Sequence, residues 1–101
     1  MVGFNSDILK TVQTDIDLID MVVNQYNTKS MEETKFYLFN DILNCQNSDI
    51  RYILLFVFKY MTFDKVQVNI IRVHNLKSEW EIVQKKLATL KTFNCDSNEF
   101  S

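Results

Sequence analysis

The stretch that most constrains the fold is residues 50–61, IRYILLFVFKYM, which is apolar on nearly every side of a helix. Such a helix has no face suited to water, so it belongs at the centre of a bundle or against another chain. At roughly 18 Å it is too short to span a membrane, which takes a helix of ~20 residues. Arg51 and Lys59 also lie inside it. We therefore expect a central core helix around which the rest of the chain packs.

Glycine and proline are almost absent, because Gly3 is the only glycine among 101 residues and proline does not occur. Tight hairpins, phosphate-binding loops and dinucleotide-binding turns all depend on glycine. Hydrophobic residues make up 47% of the chain, which is enough apolar surface for a folded domain. The composition favours one helical domain and excludes P-loop and Rossmann nucleotide sites.

Two segments before the central helix have the periodicity of amphipathic helices. The first runs from Ser6 to about Tyr26, is capped by Asn5 or Ser6, and directs these residues inward: Ile8, Val12, Ile16, Ile19, Val23 and Tyr26. Ser30 to Glu33 then matches a capping box. It starts a second helix that runs to about Cys45, with an expected buried stripe of Phe36, Phe39, Ile42 and Leu43.

A second capping box, Ser78 to Glu81, starts the last helix, which ends near Phe93 and directs inward Trp80, Val83, Leu87, Leu90 and Phe93. Residues 63–74 fit two interpretations. Their apolar residues recur at helical spacing, but residues 66–70 also alternate and are rich in β-branched side chains, as in a strand. A helix is favoured because the chain offers no second strand; a strand would instead pair across a dimer.

These segments predict an all-α fold, a compact antiparallel bundle of four to five helices joined by short links. We expect a single domain over residues 1–93 and a polar, frayed tail over residues 94–101. The first residues lack the basic and apolar regions of a secretion signal, so we expect an intracellular protein, in the cytoplasm or nucleus. Alanine and arginine are scarce while Asn, Lys, Ile and Phe are abundant, which is typical of AT-rich genomes, including those of some large viruses.

No group of residues has the spacing of a catalytic or metal site. Cys45 and Cys95 lie fifty residues apart and form neither a CxxC pair nor a ligand cluster. His74 is the only histidine, and a dyad with either cysteine would need the fold to bring the partners together. The aspartates of residues 15–20 lack the spacing of a calcium loop and are interpreted as a solvated acidic face. We expect no enzymatic activity, no cofactor and no metal.

The central helix has more large apolar residues than one inward face needs. Its inward face is expected to hold Ile50, Ile53, Leu54, Val57 and Met61, which leaves Tyr52, Leu55, Phe56 and Lys59 on the other side. Either neighbouring helices cover that side or it forms an exposed apolar surface, and such surfaces usually mark a protein interface. We predict a partner-binding surface at these four residues, with a homodimer as its simplest form.

Nucleic-acid binding is the alternative function. The last helix is mildly basic through Lys77, Lys85, Lys86 and Lys91. The preceding segment offers Gln67, Asn69 and Arg72, residue types that can contact base edges from a helix-turn-helix. The formal net charge of −2 argues against this alternative, because nucleic-acid domains usually have a clear basic excess.

Overall fold

The computed structural model of the chain describes residues 4–61 and 77–92. These residues form a short 3-10 helix and four α-helices: the 3-10 helix Ser6–Thr11, α1 Asp15–Tyr26, α2 Met31–Asn44, α3 Ser48–Tyr60 and α4 Lys77–Thr92. No β-strand occurs within the two described ranges, and the predicted all-α fold is confirmed. The predictions for residues 63–74 and for the tail 94–101 lie outside the described residues.

The predicted first helix is two elements, because the chain leaves the helical path at residues 12–14. Thr14 is extended and caps α1, since its Oγ1 accepts a 3.0 Å hydrogen bond from the Asp17 backbone N–H. A hydroxyl that caps a new helix competes with continuation of the previous one. The break also changes the inward face, so the buried apolar residues are Leu9, Val12, Leu18, Ile19 and Val22, while Ile8, Ile16, Val23 and Tyr26 are only partly buried.

α2 begins where its capping motif predicts, with Ser30 as the N-cap. Ser30 Oγ accepts a 3.2 Å hydrogen bond from the Glu33 backbone N–H. The Glu33 carboxylate accepts at 3.3 Å from the backbone N–H of Lys29, one residue before the position that a capping box uses. The motif therefore predicts the helix start correctly, although the reciprocal bond goes to a neighbouring residue.

α3 lies at the centre of the described fold and contacts α1, α2 and α4. Its N-cap is Asn47, whose Oδ1 accepts from the backbone N–H groups of Asp49 and Ile50 at 2.8 and 3.0 Å. The five residues predicted to face inward are all buried: Ile50, Ile53, Leu54, Val57 and Met61. The prediction of a central core helix is confirmed, and each fully buried aliphatic side chain contributes about 1.5–3 kcal/mol to folding.

Polar contacts at opposite ends of α3 hold α4 antiparallel to it. Near the start of α3, Lys86 Nζ lies 2.9 Å from Asp49 Oδ1. Near its end, the Glu79 carboxylate accepts hydrogen bonds from Lys59 Nζ and Tyr60 OH, both at 2.8 Å. Residue numbers therefore rise along α3 as they fall along α4. The antiparallel arrangement leaves one side of α3 covered by α4.

The apolar face of α4 agrees with the sequence pattern. Val83 and Leu87 are buried, and Trp80 and Leu90 pack against the core as partly buried residues. The helix already includes Lys77 and Ser78, so the N-cap predicted at Ser78 is wrong. Phe93, the last residue predicted to face inward, lies outside the described residues.

Candidate functional site

The surface predicted on α3 is divided by the packing of α4. Phe56 is 4% exposed, and the centroid of its ring lies 5.1 Å from that of Tyr60 and 5.9 Å from that of Trp80. Of the two possibilities for this side of α3, coverage by a neighbouring helix is the one found at Phe56, because α4 packs over it. An aromatic ring in this position contributes its large apolar area to the core.

Tyr52 and Lys59 also take part in the contact between α3 and α4. Lys86 Nζ lies 5.1 Å from the ring centroid of the partly buried Tyr52. Lys59 is exposed, with its Nζ bonded to Glu79. Burial pushes the pKa of the Glu79 carboxyl up, but the bonds from Lys59 and Tyr60 outweigh burial and hold this pKa below its ordinary value. The partner-binding role of Tyr52 and Lys59 stays a prediction.

Large apolar side chains of α2 face outward, where the sequence predicts a buried stripe. Phe36 is 63% exposed, Phe39 is 46% exposed and Leu43 is 64% exposed. Their spacing of three and four residues places them on one side of the helix. The predicted stripe is wrong for these three residues and right for Ile42, which is buried.

The opposite side of α2 is inward although it carries polar residues. Thr34 and Asp41 are buried beside the apolar residues of this side. Thr34 Oγ1 donates to the Ser30 carbonyl at 3.2 Å, and Asp41 Oδ2 accepts from the Tyr26 hydroxyl at 2.5 Å. Because both polar groups have partners, burying them costs less than burying unsatisfied groups. Tyr26 lies on α1, so the pattern of α2 alone does not reveal this partner.

The exposed row on α2 continues onto α3. A three-residue link joins the two helices, and the ring centroids of Phe39 and Phe58 are 5.9 Å apart. Leu55 precedes Phe58 by three residues, lies on the same side of α3, and is 45% exposed. We call Phe36, Phe39, Leu43, Leu55 and Phe58 the α2–α3 face. It contains Leu55, one of the four residues predicted to bind a partner, and four residues that were not predicted to do so.

Asp41 is the buried carboxyl at the junction of α1 and α2. Burial raises its pKa above the ordinary value, although the hydrogen bonds from the Tyr26 hydroxyl and the Phe4 backbone N–H act in the opposite direction. The pKa of Tyr26 is also raised, first by burial and then by its bond to Asp41. Shifted pKa values can mark reactive groups. Here burial is the largest cause of both shifts, and the two groups join α1 and the N-terminal segment to α2, which is a structural role.

A surface cleft of about 240 Å³ lies where α1 meets α2. Its lining includes Asn27, whose left-handed backbone with φ of 44° ends α1. Thr28 Oγ1, also in the lining, donates to the Ser30 carbonyl at 2.8 Å. Among the described residues of the lining, Lys29 alone is charged. The hydroxyl of Thr28 is thus already used by the turn. With one charged side chain in its described lining, the cleft presents no acid–base pair.

The described residues that could act as metal ligands or nucleophiles either lie far apart or have a structural role. Within residues 4–61 and 77–92, no group of three His, Cys, Asp or Glu side chains could hold a metal ion. Asp15 is 1% exposed, so the interpretation as a solvated acidic face is wrong for this residue; its Oδ1 accepts from the Ile16 backbone N–H at 2.8 Å. Cys45 is buried, and its Sγ donates to a backbone carbonyl at 3.4 Å. His74 and Cys95 lie outside the described residues.

The basic side chains of α4 are partly engaged within the fold. Lys86 pairs with Asp49 at 2.9 Å, and Lys91 Nζ donates to the Val12 carbonyl at 3.2 Å. Lys77 and Lys85 are exposed. The other residues considered for contacts with base edges, including Arg72, lie outside the described residues, so the nucleic-acid alternative stays a prediction.

No protein-family model, curated protein or solved structure matches this chain. Within the part of the chain that the structure describes, the helices are too short or too polar to cross a membrane. Among the features of the described helices, the α2–α3 face is the one that points to a function.

The neighbouring residues Phe56 and Leu55 should respond very differently to truncation. Phe56→Ala should lower the free energy of unfolding by about 3–5 kcal/mol, because it opens a cavity between α3 and α4. The matched variant Leu55→Ala should change it by less than about 1 kcal/mol, since its side chain is already partly in water. Urea denaturation followed by circular dichroism measures both values. Equal losses for the two variants would contradict the packing described for α4.

The buried carboxyl of Asp41 predicts a pH dependence. Its pKa in the folded state is raised above the ordinary 3.8, so its contribution to stability is fully present below that pH and is lost as the pH rises through the folded-state pKa. The variant Asp41→Asn cannot lose this proton. Its unfolding free energy relative to the wild type should therefore increase as the pH rises from 3.8 through the folded-state pKa of Asp41, and then level off. A difference that falls with rising pH would contradict the assignment.

Tyr26→Phe tests the same pair from the other side. Removing the hydroxyl leaves a buried carboxylate short of a donor and should cost about 1–3 kcal/mol at neutral pH. The Tyr26 bond lowers the pKa of Asp41, so this pKa should be higher in the variant. The variant should therefore go on losing stability at pH values where the wild type has already levelled off. Tyr37→Phe is the matched control, since the Tyr37 hydroxyl makes no hydrogen bond within the described residues.

Proposed function

We propose that this chain is a non-enzymatic interaction module that binds protein through the α2–α3 face. The observation that carries the proposal is the outward row on α2, where Phe36 and Leu43 are each more than 60% exposed and Phe39 is 46% exposed. Large apolar side chains clustered at helical spacing are costly to leave in water. Such a cluster is typical of surfaces that become covered by another protein.

The composition of the α2–α3 face supports binding of protein in particular. It combines three phenylalanines and two leucines, and none of its residues is charged. The cores of protein interfaces are rich in aromatic residues and poor in charged ones. A nucleic-acid surface would instead present lysine and arginine to the phosphates. A second copy of the chain and a different protein both fit this chemistry.

The cellular compartment and the type of genome are also part of the proposal. We propose that the module acts inside the cell, in the cytoplasm or nucleus, of an organism or virus with an AT-rich genome. The scarcity of alanine and arginine and the abundance of Asn, Lys, Ile and Phe support the genomic part.

The function is tested by affinity capture from a lysate of the source cell, divided into nuclease-treated and untreated halves. The double variant Phe36→Ser/Leu43→Ser should reduce the captured protein partner by at least about tenfold, because it removes the two most exposed apolar side chains of the face. Both side chains are already exposed, so the variant's stability should stay within about 1 kcal/mol of the wild type.

Ile82→Ser is the matched control for this experiment. Ile82 is also a large exposed apolar residue, 44% exposed, but it lies on α4. Its replacement should leave capture unchanged. Equal losses from both variants would contradict the assignment to the α2–α3 face, and recovery only in the half without nuclease would support the nucleic-acid alternative.

A further inference from the structure

We propose that the occupant of the α2–α3 face is a second copy of this chain, in a two-fold dimer whose α2 helices are antiparallel. This inference rests on the proposed function, because it names the partner of the same face. It is supported by the order of side chains along α2, by the charges at the two ends of the face, and by the area that the face offers.

The outward row on α2 is suited to packing against itself. Phe36, Phe39 and Leu43 follow each other at intervals of three and four residues, and such rows form ridges that pack into the grooves of a second helix. A two-fold axis near Phe39 reverses the order of the row in the second copy. Phe36 then faces Leu43 of that copy, and the two Phe39 rings meet at the centre.

The two ends of the face carry opposite charges. Glu32 is exposed in the first turn of α2. At the other end, the exposed Arg51 guanidinium donates to the carbonyl of Cys45, the residue directly after α2. Glu32 and Cys45 are separated by roughly 20 Å along the axis of α2, and Phe39 lies near the midpoint between them.

A two-fold axis through that midpoint brings Glu32 of each copy beside Arg51 of the other. The dimer therefore gains two contacts between opposite charges. A parallel arrangement would place Glu32 beside Glu32 and Arg51 beside Arg51. Complementary charges of this kind determine the register and orientation of an interface, so the charges favour the antiparallel dimer.

The exposed area of the face is adequate for a dimer of modest affinity. At roughly 200 Å² for a large side chain, the exposed parts of Phe36, Phe39, Leu43 and Leu55 total about 400 Å² in each copy. Two copies would bury about 800 Å² of apolar area, and homodimer interfaces are about 65% apolar. The implied total, about 1,200 Å², is at the lower end of stable interfaces.

The dimer is tested by equilibrium sedimentation of the full chain from about 1 to about 500 µM, a range matched to a modest interface. The wild type should show a monomer–dimer equilibrium. Phe36→Ser should raise the dissociation constant by at least about tenfold, whereas Ile82→Ser should leave it unchanged. A chain that stays monomeric at every concentration, or a dimer that Phe36→Ser does not weaken, would overturn the inference.

A charge exchange tests the antiparallel arrangement specifically. Glu32→Arg and Arg51→Glu should each weaken the dimer by at least about tenfold, because two like-charge contacts replace two favourable ones. Mixing the two variants should restore association, since each chain then supplies the charge that the other needs. Failure of the mixture to associate, while both variants keep the wild-type helicity, would overturn the two-fold arrangement.

A disulfide test examines the antiparallel arrangement without the variant Arg51→Glu, and so applies even if that variant does not fold. In a Cys95→Ser background, Asn40→Cys lies beside the proposed axis and should form a disulfide-linked dimer on mild oxidation, which requires Cα atoms within about 7 Å. Glu81→Cys, exposed on α4, should not. Equal cross-linking of both variants, or of neither, would contradict the geometry.

The two proposals can fail separately. A chain that is monomeric throughout, but whose capture of a different protein is lost in Phe36→Ser/Leu43→Ser, would overturn the dimer and leave the proposed function standing. A monomeric chain whose capture is unaffected by that variant would overturn both.

Discussion

The hydrogen bond between Tyr26 and Asp41 is the interaction on which the arrangement of α2 depends. α2 has apolar residues on both sides, so hydrophobicity alone does not determine which side is buried. The Tyr26 hydroxyl, at 2.5 Å from the Asp41 carboxylate, gives a partner to the most costly polar group of the inward side. With that group satisfied, Leu38 and Ile42 enter the core, and the aromatic row of α2 is left facing water.

That orientation of α2 creates the surface from which function is proposed. If Phe36, Phe39 and Leu43 were inward, the outward side of α2 would mix polar with aliphatic residues and would carry no phenylalanine. Their exposure carries a free-energy cost that binding would recover, since covering large apolar groups is favourable in water. One buried polar pair therefore connects the folding of α1 against α2 to the proposed interaction of the whole module.

The sequence predicts the parts of the fold that depend on strong local patterns. The nearly uniform apolarity of residues 50–61 identifies α3 as the core helix, and the motif at Ser30 identifies the start of α2. The break before Thr14 is missed, because the apolar spacing continues across it and the cap depends on one hydroxyl. The buried side of α2 and the covering of Phe56 are not predicted for another reason, because both depend on other helices. Tyr26 on α1 gives Asp41 its hydrogen-bond partner, and α4 packs over Phe56.

The most direct test of this account is hydroxyl-radical footprinting of the unmodified chain at low micromolar concentration, with oxidation measured at each residue. The account predicts that Phe36, Phe39 and Leu43 are oxidised much faster than Leu38 and Phe56, because side-chain oxidation follows solvent exposure and these two residues are 0% and 4% exposed. Protection of Phe36 and Leu43 to the level of Phe56 in the monomer would contradict the account, since it would place the predicted stripe of α2 inside the core.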